Sequence, residues 1–474
     1  MYSYSPLLQA VFQACDKHPE KIAVIAGKEE VSYSELRCHI RQAAALIRSK
    51  EFRVGDVIKL AAVKEPHFVY MGLGAMMVGV IAEMIDPQSD DERFGYLPEE
   101  IYEMSPLAKE PTGLKETDVI EIIHTTGTTA KPKLVCLSHY NVFWATKYTS
   151  DAMQNDEEDV EIVAMPLHHG FGLRRLYLTL MNGATAVLLP NLANVKLLLN
   201  TIETCQVTSL GLSPAAWWYI RQISGTRIAK FASQLRHIEF GTSAMSLETK
   251  HDVLAMFPHA RICDNYGLTE SNRSTSLELH DTAHLDSIGK PIADSVRVKA
   301  IDGEICVQGR QTMVGYWDAE DNEGAFDDGF VRTGDCGYVS GDGYVYLTGR
   351  VKEMINVGGE KVCPAEVEET ICRLGVGDCI CVPHPHDMLG ETVKAFILKG
   401  STNLSFEQID DRLRSILPLY KCPTIYEWID AIPLNALGKK QRRTLKQRGR
   451  FFLFEKRQSR AASVTLRDAE RISV

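Results

Sequence analysis

Residues 125–133 read T-T-G-T-T-A-K-P-K, directly after the apolar run 119–123. Thr125, Thr126, Thr128 and Thr129 bring hydroxyls, Gly127 lets a ligand approach the backbone closely, and Lys131 and Lys133 supply positive charge. Hydroxyls and backbone N–H groups donate to phosphate oxygens, so this composition suits a polyphosphate at the end of a strand. The same residue types also make ordinary solvated turns, and the rest of the chain has to decide. The loop is not a Walker P-loop, because its lysines flank a proline and no hydroxyl follows, which argues against a kinase or ATPase of that type.

Around the loop, helical and strand patterns alternate. An amphipathic helix is expected from about Leu7 to Cys15 and a strand over 22–25. Ser32 and Glu35 form a possible capping box ahead of Leu36, Ile40, Ala44 and Ile47 at helical spacing. Short apolar runs at 57–63, 162–165, 186–189 and 238–240 separate further helical stretches, the pattern of an α/β fold with mainly parallel αβ layers. The apolar stretch 68–85 carries three glycines and Glu83 and falls short of the ~20 clean residues of a spanning helix. It reads as a helix followed by a buried strand, and no transmembrane segment is expected. Residues 296–346 read as a β-rich subdomain of short strands and Gly/Asp turns. Residues 349–362 suit a hinge, and a small α/β unit follows. The expected organisation is a large N-terminal domain over 1–349, a small mobile C-terminal domain over 350–450, and a tail over 451–474 whose Phe451, Phe452, Leu453 and Phe454 are expected to pack within the chain.

Four later segments follow in order: N-Y-G-L-T-E at 265–270, R-T-G-D at 332–335, G-R-V-K-E at 349–353 and P-L-N-A-L-G-K at 433–439. Tyr266 offers a flat face for a purine. Glu270 offers an oxygen ligand for Mg²⁺, a hard cation that takes one or two carboxylates beside substrate phosphates. Asp335, after Gly334 in an expected turn, could accept from two vicinal ribose hydroxyls. Lys439 is an ammonium on an exposed loop. Taken singly, Tyr266 is equally a core aromatic, Glu270 a helix-start carboxylate, Asp335 a turn residue and Lys439 part of a basic surface patch. Their ordered co-occurrence decides between the readings.

With these motifs the chain resembles, from about Tyr33 to Arg443, the adenylate-forming superfamily of acyl- and aryl-CoA synthetases, stand-alone adenylation domains and luciferases. The resemblance implies ATP and Mg²⁺ as cofactors. It places Thr125, Thr126, Gly127, Thr128, Thr129, Lys131 and Lys133 around the phosphates, with Tyr266 against adenine and its neighbours Asn265 and Gly267 in the nucleotide site. Thr269 falls on the α-phosphate, Glu270 on magnesium, Asp335 on the ribose with Arg350 assisting, and Lys439 on the acyl carboxylate. It implies that the small domain turns about Lys352 between adenylation and thioester formation, and that Gly358 and Gly359 line the path of a pantetheine arm. The acceptor is CoA or the phosphopantetheine of an acyl carrier protein, whose acidic helices could dock on the basic stretch after Lys439. A luciferase-like oxygenase and a nucleotide-binding protein that has lost catalysis stay open as other members' fates.

The segment M-P-L-H-H-G-F-G-L at 165–173 resembles the family's acyl-pocket wall. His169, Gly170 and Phe171 are candidate substrate contacts, with Thr242 and Ser243 after the strand at 238–240. Adenylation domains for α-amino acids place an aspartate in this wall, and an unpaired buried ammonium is costly. None stands at 168–171, so the expected substrate is a carboxylic acid without an α-amine. His168 and His169, as neighbours on a strand, are expected to point to opposite faces and not to hold a metal together. The chain departs from the family at Ala130 and Leu134, where glycine is usual, and 87–125 reads as abbreviated.

The length of 474 residues allows two to four domains, and 45% hydrophobic with 24% charged residues is a globular composition. A net charge of −10 disfavours general binding of nucleic acid. The 12 cysteines form no C-x-x-C pair, which argues against a zinc or thioredoxin-like site and for a reducing compartment. The start M-Y-S-Y-S-P lacks the basic region of a signal peptide, so a cytoplasmic protein is expected. His384 and His386 read as surface residues of a proline-rich turn.

Overall fold

A computed structural model describes residues 5–108, 113–125, 132–433, 440–446 and 454–455. The chain divides into two compact units. The first holds the residues up to Thr333 with Gly337–Leu347, and the second holds Gly334–Cys336 and the described residues from Thr348 onward.

In the first unit a nine-stranded sheet runs in the order β13 (Lys290–Pro291), β12 (Asn272–Glu278), β11 (Arg261–Leu268), β10 (His237–Phe240), β9 (Ser209–Leu212), β7 (Val160–Val163), β8 (Thr185–Leu188), β1 (Ile22–Ala26) and β2 (Glu29–Ser32). Its six central strands are parallel, and antiparallel pairs occupy both edges. A five-stranded sheet has the order β16 (Gly315–Tyr316), β6 (Leu134–Ser138), β5 (Val119–His124), β4 (Ile81–Ile85) and β3 (Val57–Ala61). The helices α1 (Pro6–Lys17), α2 (Tyr33–Ser49), α3 (Pro66–Val78), α4 (Pro98–Glu103), α5 (His139–Met153) and α6 (Gly170–Met181) accompany these sheets. A smaller sheet of β14 (Arg297–Ile301), β15 (Glu304–Gln308), β18 (Phe330–Val339) and β17 (Phe326–Asp327), with β19 (Val345–Arg350) beside β18, makes the β-rich part, in which Gly334–Cys336 of β18 and the last three residues of β19 count with the second unit.

Local sequence explains the helices that matter most. Ser32 Oγ accepts from Glu35 N at 3.2 Å while Glu35 Oε2 accepts from Ser32 N at 2.8 Å, the capping box expected from sequence. Leu36, Ile40, Ala44 and Ile47 of α2 are buried against α3, and α3 is itself buried from Phe68 to Val78. A helix apolar on all sides belongs inside a globule. Only α4 lies between β4 and β5 among the described residues.

Helix α6 is buried from Gly172 to Leu180 and still carries Arg174 and Arg175, each at most 1% exposed. Arg174 reaches the five-stranded sheet, forming a two-pronged bond to Glu121 of β5, while its Nε donates to Asn272 Oδ1 at 3.3 Å. Arg175 turns to the nine-stranded sheet, with Nε on Glu161 Oε1 of β7 at 2.8 Å, Nη1 on Glu239 Oε2 of β10 at 3.2 Å and Nη2 on Ser209 Oγ of β9 at 2.7 Å. Adjacent residues on one helix thus pin two sheets.

The second unit has a sheet ordered β21 (Glu360–Val362), β20 (Ile355–Val357), β23 (Gly390–Leu398), β24 (Ile425–Ile429) and β25 (Phe454–Glu455), with β22 (Cys379–His386) paired to β23. Cys379 and Cys381 are buried on one face and Ile380 and Val382 on the other, the alternation their spacing requires. His384 and His386 lie in β22 and are half-buried, not in a surface turn. Pro383 and Pro385 fit there because β22 is an edge strand, where a missing N–H breaks no ladder. The N–H groups of Cys379 and Cys381, at the same alternation as the prolines, are taken by Asp378 Oδ1 at 2.8 Å and Glu368 Oε1 at 2.7 Å. Of the tail, Phe454–Glu455 adds a strand antiparallel to β24, so its described part pairs within the chain.

Removing one partner of a buried pair strands the other charge, whereas replacing both by apolar groups does not. Arg174→Leu should therefore cost about 3–5 kcal/mol in urea unfolding, and Arg174→Leu with Glu121→Leu should cost much less. Equal losses in the single and double variants would contradict this role of the pair.

Candidate active site

The ends of the predicted phosphate loop are held together. Thr125 N donates to Lys133 O at 2.9 Å, and Lys133 N donates to Thr125 Oγ1 at 3.0 Å. Thr126, Gly127, Thr128, Thr129 and Lys131 lie outside the described residues. The Lys133 ammonium sits 3.2 Å from Asp321 Oδ1 and 4.5 Å from the centre of the Tyr316 ring. The Tyr316 hydroxyl in turn donates to Glu270 Oε1 at 2.8 Å. Burial, then the Glu270 carboxylate, pushes the Tyr316 phenol far above its ordinary range, so it stays a donor. The foot of the loop and the carboxylate assigned to magnesium therefore meet across one ring. Tyr316 was not legible in the sequence, because its place comes from pairing with Val135 of β6.

Asn265, Tyr266 and Gly267 lie on β11, which folds back on β12 with a bulge between Tyr266 and Gly267. A Cβ on Gly267 would lie 1.7 Å from Asn272 O, so no side chain is tolerated there. Thr269 and Glu270 occupy the turn of this hairpin, which removes the helix-start reading of Glu270. Tyr266 is half-buried, and Asn265 is buried with its amide donating to Glu239 Oε1 at 2.9 Å.

His169 caps α6, and Gly170 and Phe171 open it. His168 and His169 are in a turn, not on a strand, so alternation does not separate them; their ring centres are 4.1 Å apart. No group of three His, Cys, Asp or Glu placed to hold a metal occurs among the described residues. Burial, then the charge of His168, lowers His169 to about 4, and burial lowers His168 as well. The Gly170 and Phe171 carbonyls accept from Arg273 at 3.1 and 3.0 Å, and its guanidinium stacks 4.4 Å from the Phe171 ring centre. Thr242 and Ser243 follow β10, and Thr242 holds φ = 72°. That conformation is strained for a β-branched residue.

In the second unit Asp335 is 4% exposed and lies 2.9 Å from Arg350 Nε. Asp335 is inside strand β18, not in a turn; the left-handed Gly334, φ = 72°, kinks the strand at this point. Lys352 is exposed in the 3-10 turn Val351–Glu353. Gly358 and Gly359 form the two-residue turn between β20 and β21, with φ of 63° and 98°. Positive φ at both central positions requires such residues on its own account. Lys439 lies outside the described residues. Just beyond it, Lys440 Nζ donates to Asp378 Oδ1 at 2.8 Å, and Arg442 donates to Glu353 Oε2 at 2.8 Å and to Glu368 at 2.9 Å. The chain after Lys439 is thereby tied to the turn that carries Lys352.

In the first unit the segments around His169 and Thr242 follow the carboxyl ends of the parallel strands β7 and β10, and Tyr266 lies on β11 just past its last parallel pair with β10, where open α/β sheets bind ligands. A family model described as AMP-binding enzyme matches residues 11–101 and 98–317, more than half of the chain. The chain belongs to the family of AMP-binding enzymes. The two matched pieces adjoin in the stretch that reads as abbreviated. This AMP-binding enzyme is 25% identical to 4-coumarate–CoA ligase CCL1 of Humulus lupulus over 94% of each chain. It is 26% identical to the fatty acid–[acyl-carrier-protein] ligase ScoC of Streptomyces coeruleorubidus, over 94% of this chain and 97% of the other. Among solved structures, ATP-bound MatB from Rhodopseudomonas palustris shares the fold with a TM-score of 0.80, at 24% identity over 93% of this chain and 98% of that one.

Two outcomes are expected from this geometry. Thr242→Gly should raise stability by about 1 kcal/mol in urea unfolding by releasing the strain; a loss would show that the threonine is held by favourable contacts. His169 is lower in the folded than in the unfolded state, so the unfolded chain binds that proton more readily between about pH 6.5 and 4. Stability from its neutral burial is full above pH 6.5 and falls as pH drops towards 4. In His169→Asn the slope of stability against pH across this window should flatten, and an unchanged slope would contradict it.

Proposed function

We propose that this AMP-binding enzyme activates a carboxylic acid lacking an α-amine with ATP and passes the acyl group to CoA. In the first step a carboxylate oxygen attacks the α-phosphorus, the bond to the β-phosphate oxygen breaks, and pyrophosphate leaves. In the second the sulfur of CoA attacks the acyl carbon, the acyl C–O bond to the phosphate breaks, AMP leaves, and the thiol proton passes to solvent. The observation that supports this reading is the meeting of Lys133 and Glu270 across Tyr316, a cation and a carboxylate on one ring, as a site for phosphate with magnesium would need. The names of the relatives support the acid–thiol ligase class, 4-coumarate–CoA ligase and oxalate–CoA ligase among them.

Glu270 fits Mg²⁺: one oxygen accepts from Tyr316, the other makes no hydrogen bond among the described residues, and magnesium beside a triphosphate needs only one or two carboxylates. When bound, the ion would offset phosphate charge. Lys133 and the Thr125 loop hold the phosphates, Tyr266 lies against adenine, Thr269 on the α-phosphate, and Asp335 with Arg350 on the ribose. Lys439 orients the acid and offsets charge developing at the α-phosphate. Lys352 is the hinge between the domains 1–349 and 350–450, and Gly358 and Gly359 face the pantetheine arm. The absence of an α-amine is supported by Glu239: this carboxylate, bound through Arg273 to the wall, is already matched by two guanidiniums. All 12 cysteines are free thiols, which suits the reducing cytoplasm. A carrier-protein acceptor is the second reading, favoured by the likeness to ScoC.

ATP–pyrophosphate exchange over a panel of aryl, short, medium and long acids and α-amino acids tests the first step. Exchange with one class of simple acids is expected; efficient exchange with α-amino acids would overturn the acid assignment. Lys439→Ala should lower adenylation about 10²–10³-fold and spare thioester formation from supplied acyl adenylate, whereas equal loss in both would refute its role. Lys352→Pro should do the reverse by fixing the hinge torsion; an unchanged second step would count against domain rotation.

A further inference from the structure

Glu239 has no exposed surface, and both its oxygens are committed. Oε1 accepts from Asn265 Nδ2 and from Arg273 Nε, each at 2.9 Å, and Oε2 accepts from Arg175 Nη1 at 3.2 Å and Arg273 Nη2 at 3.3 Å. Burial opposes its ionisation, but the charges of Arg273 and Arg175 outweigh it and hold the carboxyl below its ordinary range. With Glu161 on Arg175 the cluster is two carboxylates against two guanidiniums and closes without surplus charge. It therefore has nothing left to offer a substrate directly.

Its partners lead to two different places. Arg273 carries the Gly170 and Phe171 carbonyls and stacks on the Phe171 ring, fixing the wall assigned to the acid. Asn265 immediately precedes Tyr266, assigned to adenine, and its side chain bonds to Glu239. One carboxylate thus holds the start of α6 and the middle of β11 at a set separation. We propose that Glu239 is a positioning residue that keeps the acid wall and the adenine segment in register, acting on the acid through Arg273 and on the nucleotide through Asn265. This rests on the adenylation reading above.

The test is steady-state ATP–pyrophosphate exchange with the best acid of the panel, giving KM for acid and for ATP in the full-length wild type, Arg273→Lys, Asn265→Ala and Glu239→Gln, with a thermal midpoint for each. Arg273→Lys loses the two carbonyl bonds and should raise the acid KM about tenfold with ATP KM within twofold. Asn265→Ala should do the converse, and the near-isosteric Glu239→Gln should raise both. A merely structural cluster would lower the active fraction and the midpoint in every variant and leave both KM values alone, which would overturn the proposal. If Glu239→Gln does not fold, the opposite selectivity of the other two variants still supports it, and matching shifts in both substrates refute it. Wild type without exchange would instead refute the adenylation reading.

Discussion

Charged side chains with almost no access to water must find each other, and in this chain Glu121, Glu161, Glu239, Arg174, Arg175 and Arg273 do so within the first unit. Such pairs give little net stability over apolar packing of the same volume, but they tolerate few alternative geometries. A leucine at 174 or 175 could slide against its neighbours; a guanidinium with forked bonds to a carboxylate cannot do so without losing them. The consequence is geometric. Arg174 fixes the strand that leads into the Thr125 loop, Arg175 fixes three parallel strands, and Arg273 fixes the first residues of α6. In the first unit the strand ahead of the Thr125 loop, the strand ahead of Thr242 and the start of α6 are therefore positioned by charge pairing.

Much of this was legible in the sequence. The capping box at Ser32 and Glu35 and the helix and buried strand of 68–85 follow from local periodicity and appear as expected. The α/β class and the family were legible because several motifs occur in one order. What was not legible depends on partners distant in sequence. Tyr316 joins Lys133 to Glu270 only because β16 pairs with β6. Nothing local to 170–181 marks Arg174 and Arg175, whose partners Glu121, Glu161 and Glu239 reach them only through the fold. The histidines at 168 and 169 were assigned to a strand because they follow one; Leu167 and His168 already turn towards α6. Pro383 and Pro385 suggested a turn where an edge strand accepts them, and Gly334 suggested a turn where it kinks a strand.

The chemistry asked of this site is modest in covalent terms. Neither step needs a nucleophile from the protein; both need charge and orientation at defined points. The proposed set of lysines, hydroxyls, one carboxylate and an aromatic ring would supply that charge and orientation without covalent chemistry from the protein.

The most direct measurement of the central claim is ³¹P NMR of ATP incubated with the enzyme, Mg²⁺, CoA and an accepted carboxylic acid. The account predicts AMP and pyrophosphate in equal amounts together with the acyl-CoA thioester. ADP and inorganic phosphate as the products, or thioester formed without loss of ATP, would contradict it.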